Sequence, residues 1–298
     1  MALPSYATPV QRTYYYTYLF FCGVVFFFLI APLIAIIPIS FSVSPFMVFT
    51  DEMLSWPPDP DAWSLRWYKN MVGNCSADVV SSTVPCSNKW MIGTVNSFFI
   101  GFIATFIATT LGTLAALGLS RPHMPYKGLI MAILISPMIV PLIITAAGMF
   151  FFYARINLVY SFTGIILAHV ALATPFVVIT VTATLVGFDM NMVKAAQSLG
   201  ARPVRTFFKV IMPLILPGVI SGALFAFITS FDEVVIVMFM GSLDQLTIPK
   251  QMWAGIRQEI SPVILCMATC LVILSILLLT TVELLRRRSE KLRGIKSR

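Results

Sequence analysis

Two acidic side chains stand next to each other in an otherwise apolar segment. Asp232 and Glu233 interrupt a run that extends from Val210 to Met240, which predicts that they lie within a membrane helix. An unpaired carboxylate near the bilayer centre costs about 2.5 to 3.5 kcal/mol, so an intramembrane acid is a functional-site hypothesis. Adjacent helical residues lie about 100° apart, so both cannot point at one partner. We predict that Asp232, or failing that Glu233, faces a solute pathway; the alternative is that both satisfy hydroxyls or a lysine of neighbouring helices.

Other reactive side chains form no catalytic constellation. An enzyme using Asp232, Glu233 and His169 would need a nucleophile or metal in the same cavity, and no spacing in the sequence supplies one. His123 and His169 are isolated, so we predict no metal site, and we interpret His169 as a structural buried histidine. There is no Walker-type Gly-rich loop that would bind ATP. We therefore predict no catalytic residue; a membrane enzyme and a proton-coupled secondary transporter are the weaker alternatives.

The cysteines divide into two groups. Cys22, Cys266 and Cys270 fall in apolar runs and are expected to be packing residues. Cys75 and Cys86 lie in a polar stretch and close a loop of about a dozen residues. A disulfide between them would stabilise by about 3 kcal/mol in an oxidising compartment. Two free thiols are the alternative.

The amino-acid composition indicates that the helices carrying these groups lie in a membrane. The chain has 298 residues, of which 58% are hydrophobic and 11% charged, and a mean hydropathy of +0.91. This excludes an ordinary soluble enzyme and a disordered chain. Runs without a charge cover 13–50, 90–120, 128–154, 156–188, 210–231 and 260–282. Each exceeds the roughly 20 residues needed to cross a bilayer, so we predict six transmembrane helices and an all-α integral membrane protein.

The distribution of basic residues predicts the orientation. With six spans both termini share one side, and that side carries 14 of the 20 Lys and Arg residues. Lys and Arg accumulate on the cytoplasmic side, so both termini are predicted to be cytoplasmic. The net charge of +8 is thus a topology signal with no nucleic-acid partner, and the basic tail is expected to meet anionic membrane lipid.

Taken together, these signals divide the chain into segments. Prolines in the third and fourth helices bend helices and release carbonyls, which favours a transport pathway over a simple anchor. The predicted segments are an N-terminus (1–14), helices at 15–41, 91–119, 127–153, 162–186, 210–241 and 262–285, external loops at 42–90 and 242–261, a cytoplasmic loop at 187–209, and a basic cytoplasmic tail at 286–298.

The long cytoplasmic loop contains a short predicted helix. Asp189 and Asn191 are residues that start helices, and Gly200 is well placed to stop one. Ala195 and Ala196 leave a low-profile surface that a partner protein could clasp. We predict that this helix lies along the membrane face.

This loop resembles a family signature. The loop contains Lys194-Ala195-Ala196, then Gly200 after three residues, and then Val210-Ile211-Met212-Pro213 after nine more. This is similar to the Glu-Ala-Ala, Gly and Ile-x-Leu-Pro pattern of permease subunits of bacterial binding-protein-dependent ABC importers. The spacing matches in full. Lys194 replaces the usual Glu, which puts in doubt a salt bridge to an ATPase arginine but leaves the docking shape intact.

The resemblance implies a type I importer permease in the bacterial inner (cytoplasmic) membrane. It implies that the loop is a coupling helix docking on a cytoplasmic ATPase, with contacts from Lys194, Ala195, Ala196, Ser198, Leu199 and Gly200. ATP and Mg would be bound by two ATPase subunits and no cofactor by this chain. A second homologous permease and a periplasmic or extracellular solute-binding protein would complete the importer.

The C-terminal half narrows the implied solute. SFDEVVIVMF at 230–239 and TIPKQMWAGIRQEISPVI at 247–264 look like spermidine/putrescine permeases. A polyamine would be balanced by a carboxylate on the pathway, and Phe231 or Trp253 could add a cation-π contact of about 0.5 to 2 kcal/mol. Aminophosphonates, opines and other organic cations, which related importers carry, are the alternatives.

Overall fold

The computed structural model describes residues 8–57, 59–73, 88–121, 123–186, 188–189, 191–258 and 261–292, without the side chains of 258 and 282–292. These residues are mainly helical, and one isolated bridge joins Ser42 to Trp63. The α-helices are α1 (Pro9–Ile39), α2 (Asp51–Leu54), α3 (Arg66–Met71), α4 (Lys89–Leu119), α5 (Lys127–Ile139), α6 (Leu142–Arg155), α7 (Phe162–Val186), α8 (Asn191–Ser198), α9 (Pro203–Thr206), α10 (Met212–Phe231), α11 (Val235–Met240), α12 (Ile248–Gln258) and α13 (Val263–Leu292). A 3-10 helix covers Pro60–Ala62, and a π-helix covers Phe207–Ile211 between α9 and α10.

Several described helices are long and apolar enough to cross a bilayer. They are α1, α4, α7, the continuous stretch Pro203–Phe231 and the part Val263–Thr281 of α13. The bent pair α5 and α6 makes a sixth span if it is counted as one. At about 1.5 Å per residue, the 25 residues of α7 extend about 38 Å, enough for the hydrocarbon core. The described helices thus give five spans, or six with the bent pair, as the apolar runs predict.

The third apolar run differs from the single helix expected at 127–153. It forms α5 and α6, which are bent by 102°. Val140 is extended, with φ −72° and ψ 134°, the conformation that a following proline favours. Pro141 also has no N–H with which to continue the ladder of α5. The run is therefore broken at Val140 and Pro141.

The chain forms two compact units, of which the larger is Lys89–Ala254. Its core lies among α4, α7 and α10, where Ile165, Val177 and Ile215 are fully buried. Small residues let these helices approach closely, as membrane helices require in the absence of a hydrophobic driving force. A Cβ on Gly101 would lie 3.1 Å from the Phe227 ring. Gly101 of α4 therefore lies directly against a ring of α10.

Gly222 allows a close approach of α10 to α7. A Cβ there would lie 2.5 Å from Thr180 Oγ1 and 3.0 Å from the Cα of Val177. Overpacking of this kind costs about 1 to 3 kcal/mol, so we expect Gly222→Ala to lower the melting temperature of the purified protein by about 3 to 10 °C. Gly148→Ala is the matched control, because a Cβ on that glycine of α6 meets nothing within 4 Å in the described part. Equal melting temperatures for the two variants would contradict this account.

The second unit consists of Met1–Asn88 and Gly255–Arg298. In it, the segment after α1 is held by polar contacts: Trp67 is fully buried and its Nε1 donates to the Ser42 carbonyl at 3.0 Å. Ser40 Oγ and the Tyr68 hydroxyl share a hydrogen bond of 2.7 Å. This tryptophan lies in the short helix α3, within the segment predicted from the sequence to be an external loop. Cys75 and Cys86 lie outside the described residues, so their disulfide stays a prediction.

Candidate functional site

The short helix α8 is fixed by its two ends, as its sequence predicts. At the start, Asp189 Oδ1 accepts a hydrogen bond of 2.9 Å from the Asn191 N–H. At the end, the Gly200 N–H donates to Gln197 O at 2.9 Å and the Ala201 N–H donates to Ala196 O at 3.0 Å. This pair of bonds is the Schellman motif, which satisfies the last carbonyls of a helix.

Gly200 is required for its backbone conformation. Its φ is +78°, in the left-handed region that only glycine, and less readily asparagine or aspartate, adopts at low cost. A Cβ on Gly200 would meet nothing within 4 Å among the described residues. The constraint within this chain is therefore the turn itself and not crowding.

One face of α8 is free for a partner and the other covers a cavity. Lys194, Ala195 and Ser198 are exposed, and Leu199 exposes 88% of its surface. On the other face, Val193 and Gln197 line a cavity of about 750 Å³.

A continuous helical stretch that begins at Pro203, separated from the end of α8 by residues 199–202, leads to the acidic pair. After Gly200 the chain enters α9, the π-helix and α10, which together form the stretch Pro203–Phe231. The π-helix includes a bond from the Met212 N–H to Phe207 O, and π-helical turns occur often at functional sites. The stretch that begins at Pro203 therefore ends directly before Asp232.

The acidic pair lies at a break, and not inside a continuous helix 210–241 as the apolar run suggests. α10 ends at Phe231, and the Asp232 N–H donates the last helical bond, 3.0 Å to Ile228 O. α11 starts at Val235. The Asp232 side chain is exposed, whereas Glu233 is only 7% exposed. The structure therefore separates the two carboxylates by environment.

Glu233 is occupied as a cap. Its Oε1 accepts a hydrogen bond of 2.8 Å from the Ile236 N–H in the first turn of α11. This satisfies one of the orphan donors at a helix start and places negative charge at the positive end of the helix dipole. The Glu233 carboxylate is thus turned towards its own backbone.

The other end of α11 is capped by a cation. Lys250 Nζ donates to Gly241 O at 2.8 Å and to Ser242 O at 3.2 Å. Burial lowers the pKa of this Lys250 ammonium, a cost that the two carbonyl bonds offset. The Tyr160 N–H donates to Met240 O at 2.8 Å. The six-residue α11 is therefore held at both ends.

The loop that follows α11 is anchored on α4. Asn96 Nδ2 donates to the carbonyls of Asp244 and Leu246, each at 2.8 Å. Ser97 Oγ accepts from the Ile248 N–H at 2.9 Å. The chain beyond the break is thus fixed to the helix that begins the unit.

An aromatic cluster flanks the break. The Phe231 ring centroid lies 5.2 Å from that of Phe98 and 5.4 Å from that of Phe227, and Phe102 lies 5.2 Å from Phe227. Trp253 lies on a different element, α12, and is 46% exposed. Phe231, the residue before Asp232, thus lies against a ring of α4.

Sequence reasoning missed Phe98, Phe102 and Phe227. Their signal is a spacing of four, since Phe98 and Phe102 share one face of α4, and Phe227 and Phe231 share one face of α10. The spacing alone does not tell which two faces meet. Among the described residues no group of three His, Cys, Asp or Glu side chains could hold a metal ion.

A comparison with protein families identifies the family of this chain. Residues 108–291 match the model of the binding-protein-dependent transport system inner membrane component. The chain belongs to this family. It is therefore a multi-pass permease of the bacterial inner membrane and a non-catalytic transport subunit of an ABC system, neither an enzyme nor a proton-coupled carrier. Such systems work with an ATPase and a binding protein.

The permease is similar to curated relatives over almost its whole length. It is 28% identical over 270 residues to the spermidine/putrescine transport system permease protein PotC of Haemophilus influenzae, covering 91% of this chain and 96% of the relative. PotC of Escherichia coli K12 is 27% identical over 271 residues, covering 91% and 94%. The putrescine transport system permease protein PotI of the same strain is 28% identical over 252 residues, covering 82% and 81%.

A solved structure shares the fold of the permease. A chain of a bacterial ABC transporter involved in the import of the acidic polysaccharide alginate superposes with a TM-score of 0.66, covering 96% of this chain and 99% of that chain. The sequence identity is 14%, so the likeness concerns the fold alone.

The capping role of Glu233 in the permease can be measured as stability. Glu233→Ala would leave the Ile236 N–H buried without an acceptor, which costs about 1 to 3 kcal/mol, so we expect a lower melting temperature. Glu233→Gln keeps a side-chain oxygen that can accept the same bond and should melt within about 2 °C of the wild type. If the Gln variant melts as low as the Ala variant, the negative charge itself is required and the cap is not its main role.

Proposed function

We propose that the permease forms half of an alternating-access pathway for a polyamine, spermidine or putrescine. The observation that carries the proposal is the exposed carboxylate of Asp232 in the break between α10 and α11. The resemblance to PotC and PotI, which are named for these solutes, supports it.

The electrostatics of the break favour a cation. The last carbonyls of α10 give its C-terminal end a partial negative charge, equivalent to roughly half an elementary charge in a regular helix. Asp232 adds a full negative charge at the same place. The positive end of α11 would oppose a cation, but Glu233 neutralises it by accepting from the Ile236 N–H. A cation approaching the break would therefore meet a net negative field.

The aromatic cluster adds a second feature that suits an ammonium group. Phe231 is the last residue of α10 and directly precedes Asp232. A cation over an aromatic face gains about 0.5 to 2 kcal/mol, depending on how far it is desolvated. Several weak contacts of this kind would bind a polyamine without high affinity. A transport pathway requires such weak binding because the solute must be able to leave. Trp253 is a second candidate ring, from α12.

The exposed residues of α8 and the turn after it would move when the ATPase hydrolyses ATP. We propose that Lys194, Ala195, Ala196, Ser198, Leu199 and Gly200 contact the cytoplasmic ATPase, which binds ATP and Mg. This assigns α8 and both termini to the cytoplasm, in agreement with the excess of Lys and Arg on that side. Because Pro203–Phe231 is one continuous stretch, movement of α8 would reach Asp232 at its far end.

The complete importer would contain a second permease, homologous to this one, and two ATPase subunits. A solute-binding protein on the periplasmic or extracellular side would deliver the polyamine. Two permeases are needed because a pathway residue exposed on one chain must face another wall to be shielded from lipid.

Reconstitution tests this function. The permease, its partner permease and the ATPases would be placed in proteoliposomes with the binding protein, and ATP-dependent uptake of labelled putrescine and spermidine would be measured. We expect saturable uptake that excess unlabelled polyamine removes. If 2-aminoethylphosphonate or an opine is taken up and neither polyamine is, the substrate is another small solute of the same importer class and the polyamine assignment is wrong.

A further inference from the structure

A buried hydrogen bond joins α7 to the end of α10. His169 Nδ1 and Ser230 Oγ lie 2.8 Å apart. The two residues are 1% and 4% exposed. The sequence alone favours a purely structural histidine at this position, but the partner that the structure gives it lies two residues before Asp232.

The pair is a poor way to stabilise the core. His169 Nε2 has no hydrogen-bond partner among the described residues, and burying an unsatisfied polar atom opposes folding. The neighbours on α7 are apolar, with Ala168 and Val170 buried beside it. An apolar side chain of similar size would satisfy this packing without the polar cost. The polar pair therefore contributes orientation, which buried polar contacts can specify and apolar contacts cannot.

The two-residue spacing between Ser230 and Asp232 shows which side chain the pair orients. Residues two apart on a helix differ by about 200°, so they point to opposite sides. With Ser230 turned inward to His169, Asp232 must point outward, and its side chain is indeed exposed. If the bond were absent, the last turn of α10 could rotate and carry Asp232 away from that position.

We propose that His169 and Ser230 are positioning residues that fix the last turn of α10 and so set the direction of the Asp232 carboxylate in the pathway. This inference rests on the proposed function in assigning Asp232 to the pathway. The orientation of the last turn is a property of the chain itself and can be tested without any solute.

Four variants of the full importer complex separate positioning from packing. His169→Leu and Ser230→Ala each remove the bond, and His169→Leu, Ser230→Ala together measure their coupling. His169→Asn is the conservative variant, because its side-chain amide nitrogen can reach the position of Nδ1. The solute-independent measurement is hydrogen–deuterium exchange of the backbone amides at 230–236.

We expect both single variants to accelerate exchange at 230–236 about tenfold or more, with no change in α4. The melting temperature should not fall in His169→Leu, whereas Ser230→Ala leaves the buried His169 Nδ1 without its partner and should melt lower. The double variant should be no faster than the faster single variant, and His169→Asn should stay within about threefold of the wild type. Unchanged exchange in both single variants, or faster exchange throughout α7 with a lower melting temperature in His169→Leu, would overturn the proposal.

Uptake provides the second measurement. With spermidine, we expect His169→Leu and Ser230→Ala either to raise the half-saturating concentration of loaded binding protein about tenfold or to lower the maximal uptake rate about tenfold. His169→Asn should restore both values. Normal uptake in both single variants would overturn the role in the pathway. If the wild type carries no polyamine, the proposed function fails, while the exchange measurement still decides whether the pair positions the last turn.

Discussion

Asp232→Asn is expected to reduce polyamine uptake about 30-fold without changing the amount of assembled complex. The side chain is exposed, so an amide fits the same space and only the negative charge is lost. A hydrogen bond to a charged group is worth about 1.5 to 3 kcal/mol. Losing about 2 kcal/mol corresponds to roughly 30-fold in a binding or rate constant. The measurement is the initial rate of labelled spermidine uptake into proteoliposomes.

Asp244→Asn is the matched control for this prediction. Asp244 is also exposed and lies in the same unit, in the loop after α11, and its contact with Asn96 uses the backbone carbonyl. The substitution changes the net charge of the chain equally, so a general electrostatic effect would appear in both variants. We expect normal uptake for Asp244→Asn. Full uptake by Asp232→Asn would remove that residue from the pathway.

Gly200→Val is expected to uncouple the importer, lowering solute-stimulated ATP hydrolysis at least tenfold while the protein remains in the membrane. The φ of +78° costs an ordinary L-residue roughly 1 to 2 kcal/mol, and a β-branched side chain fits it least well. α8 has eight residues and none of them is buried, so little packing opposes unwinding. The strain would therefore be relieved by unwinding the last turn, which includes Ala196 and Ser198.

Gly200→Asn distinguishes backbone strain from bulk. Asparagine adopts left-handed conformations more readily than valine, so this variant should retain most of the stimulated ATP turnover. Unchanged turnover in Gly200→Val would contradict the coupling role. Equal loss in both variants would show that the partner ATPase approaches Gly200 closely, because within the described chain a Cβ there meets nothing within 4 Å.

The spans and α8 could be predicted because their causes are local in the sequence. A run of more than 20 residues without a charge is compatible with a bilayer whatever its neighbours are. In the same way, Asp189 and Gly200 satisfy the ends of α8 through bonds to residues two and three positions away. Only neighbouring residues are needed for these elements.

The effect of each proline was decided by tertiary structure. Pro175 stays inside the continuous helix α7 and Pro137 inside α5, whereas the chain turns by 102° at Val140 and Pro141. A proline frees a carbonyl in every case, and whether the helix continues depends on which neighbouring groups satisfy that carbonyl. Those neighbours are not adjacent in the sequence.

The sequence by itself determined that this protein is a multi-span membrane chain with a short helix, α8, between two spans and two adjacent acids in an apolar run. Only the tertiary structure decided that Asp232 is exposed and Glu233 buried, because their apolar surroundings in the sequence are alike. The difference arises where α10 ends: Glu233 turns to the N–H of Ile236, and His169, 61 residues before Ser230, holds the preceding turn. The exposure of a side chain depends on which distant helix covers it. The residues next to it in one apolar run do not show which helix that is.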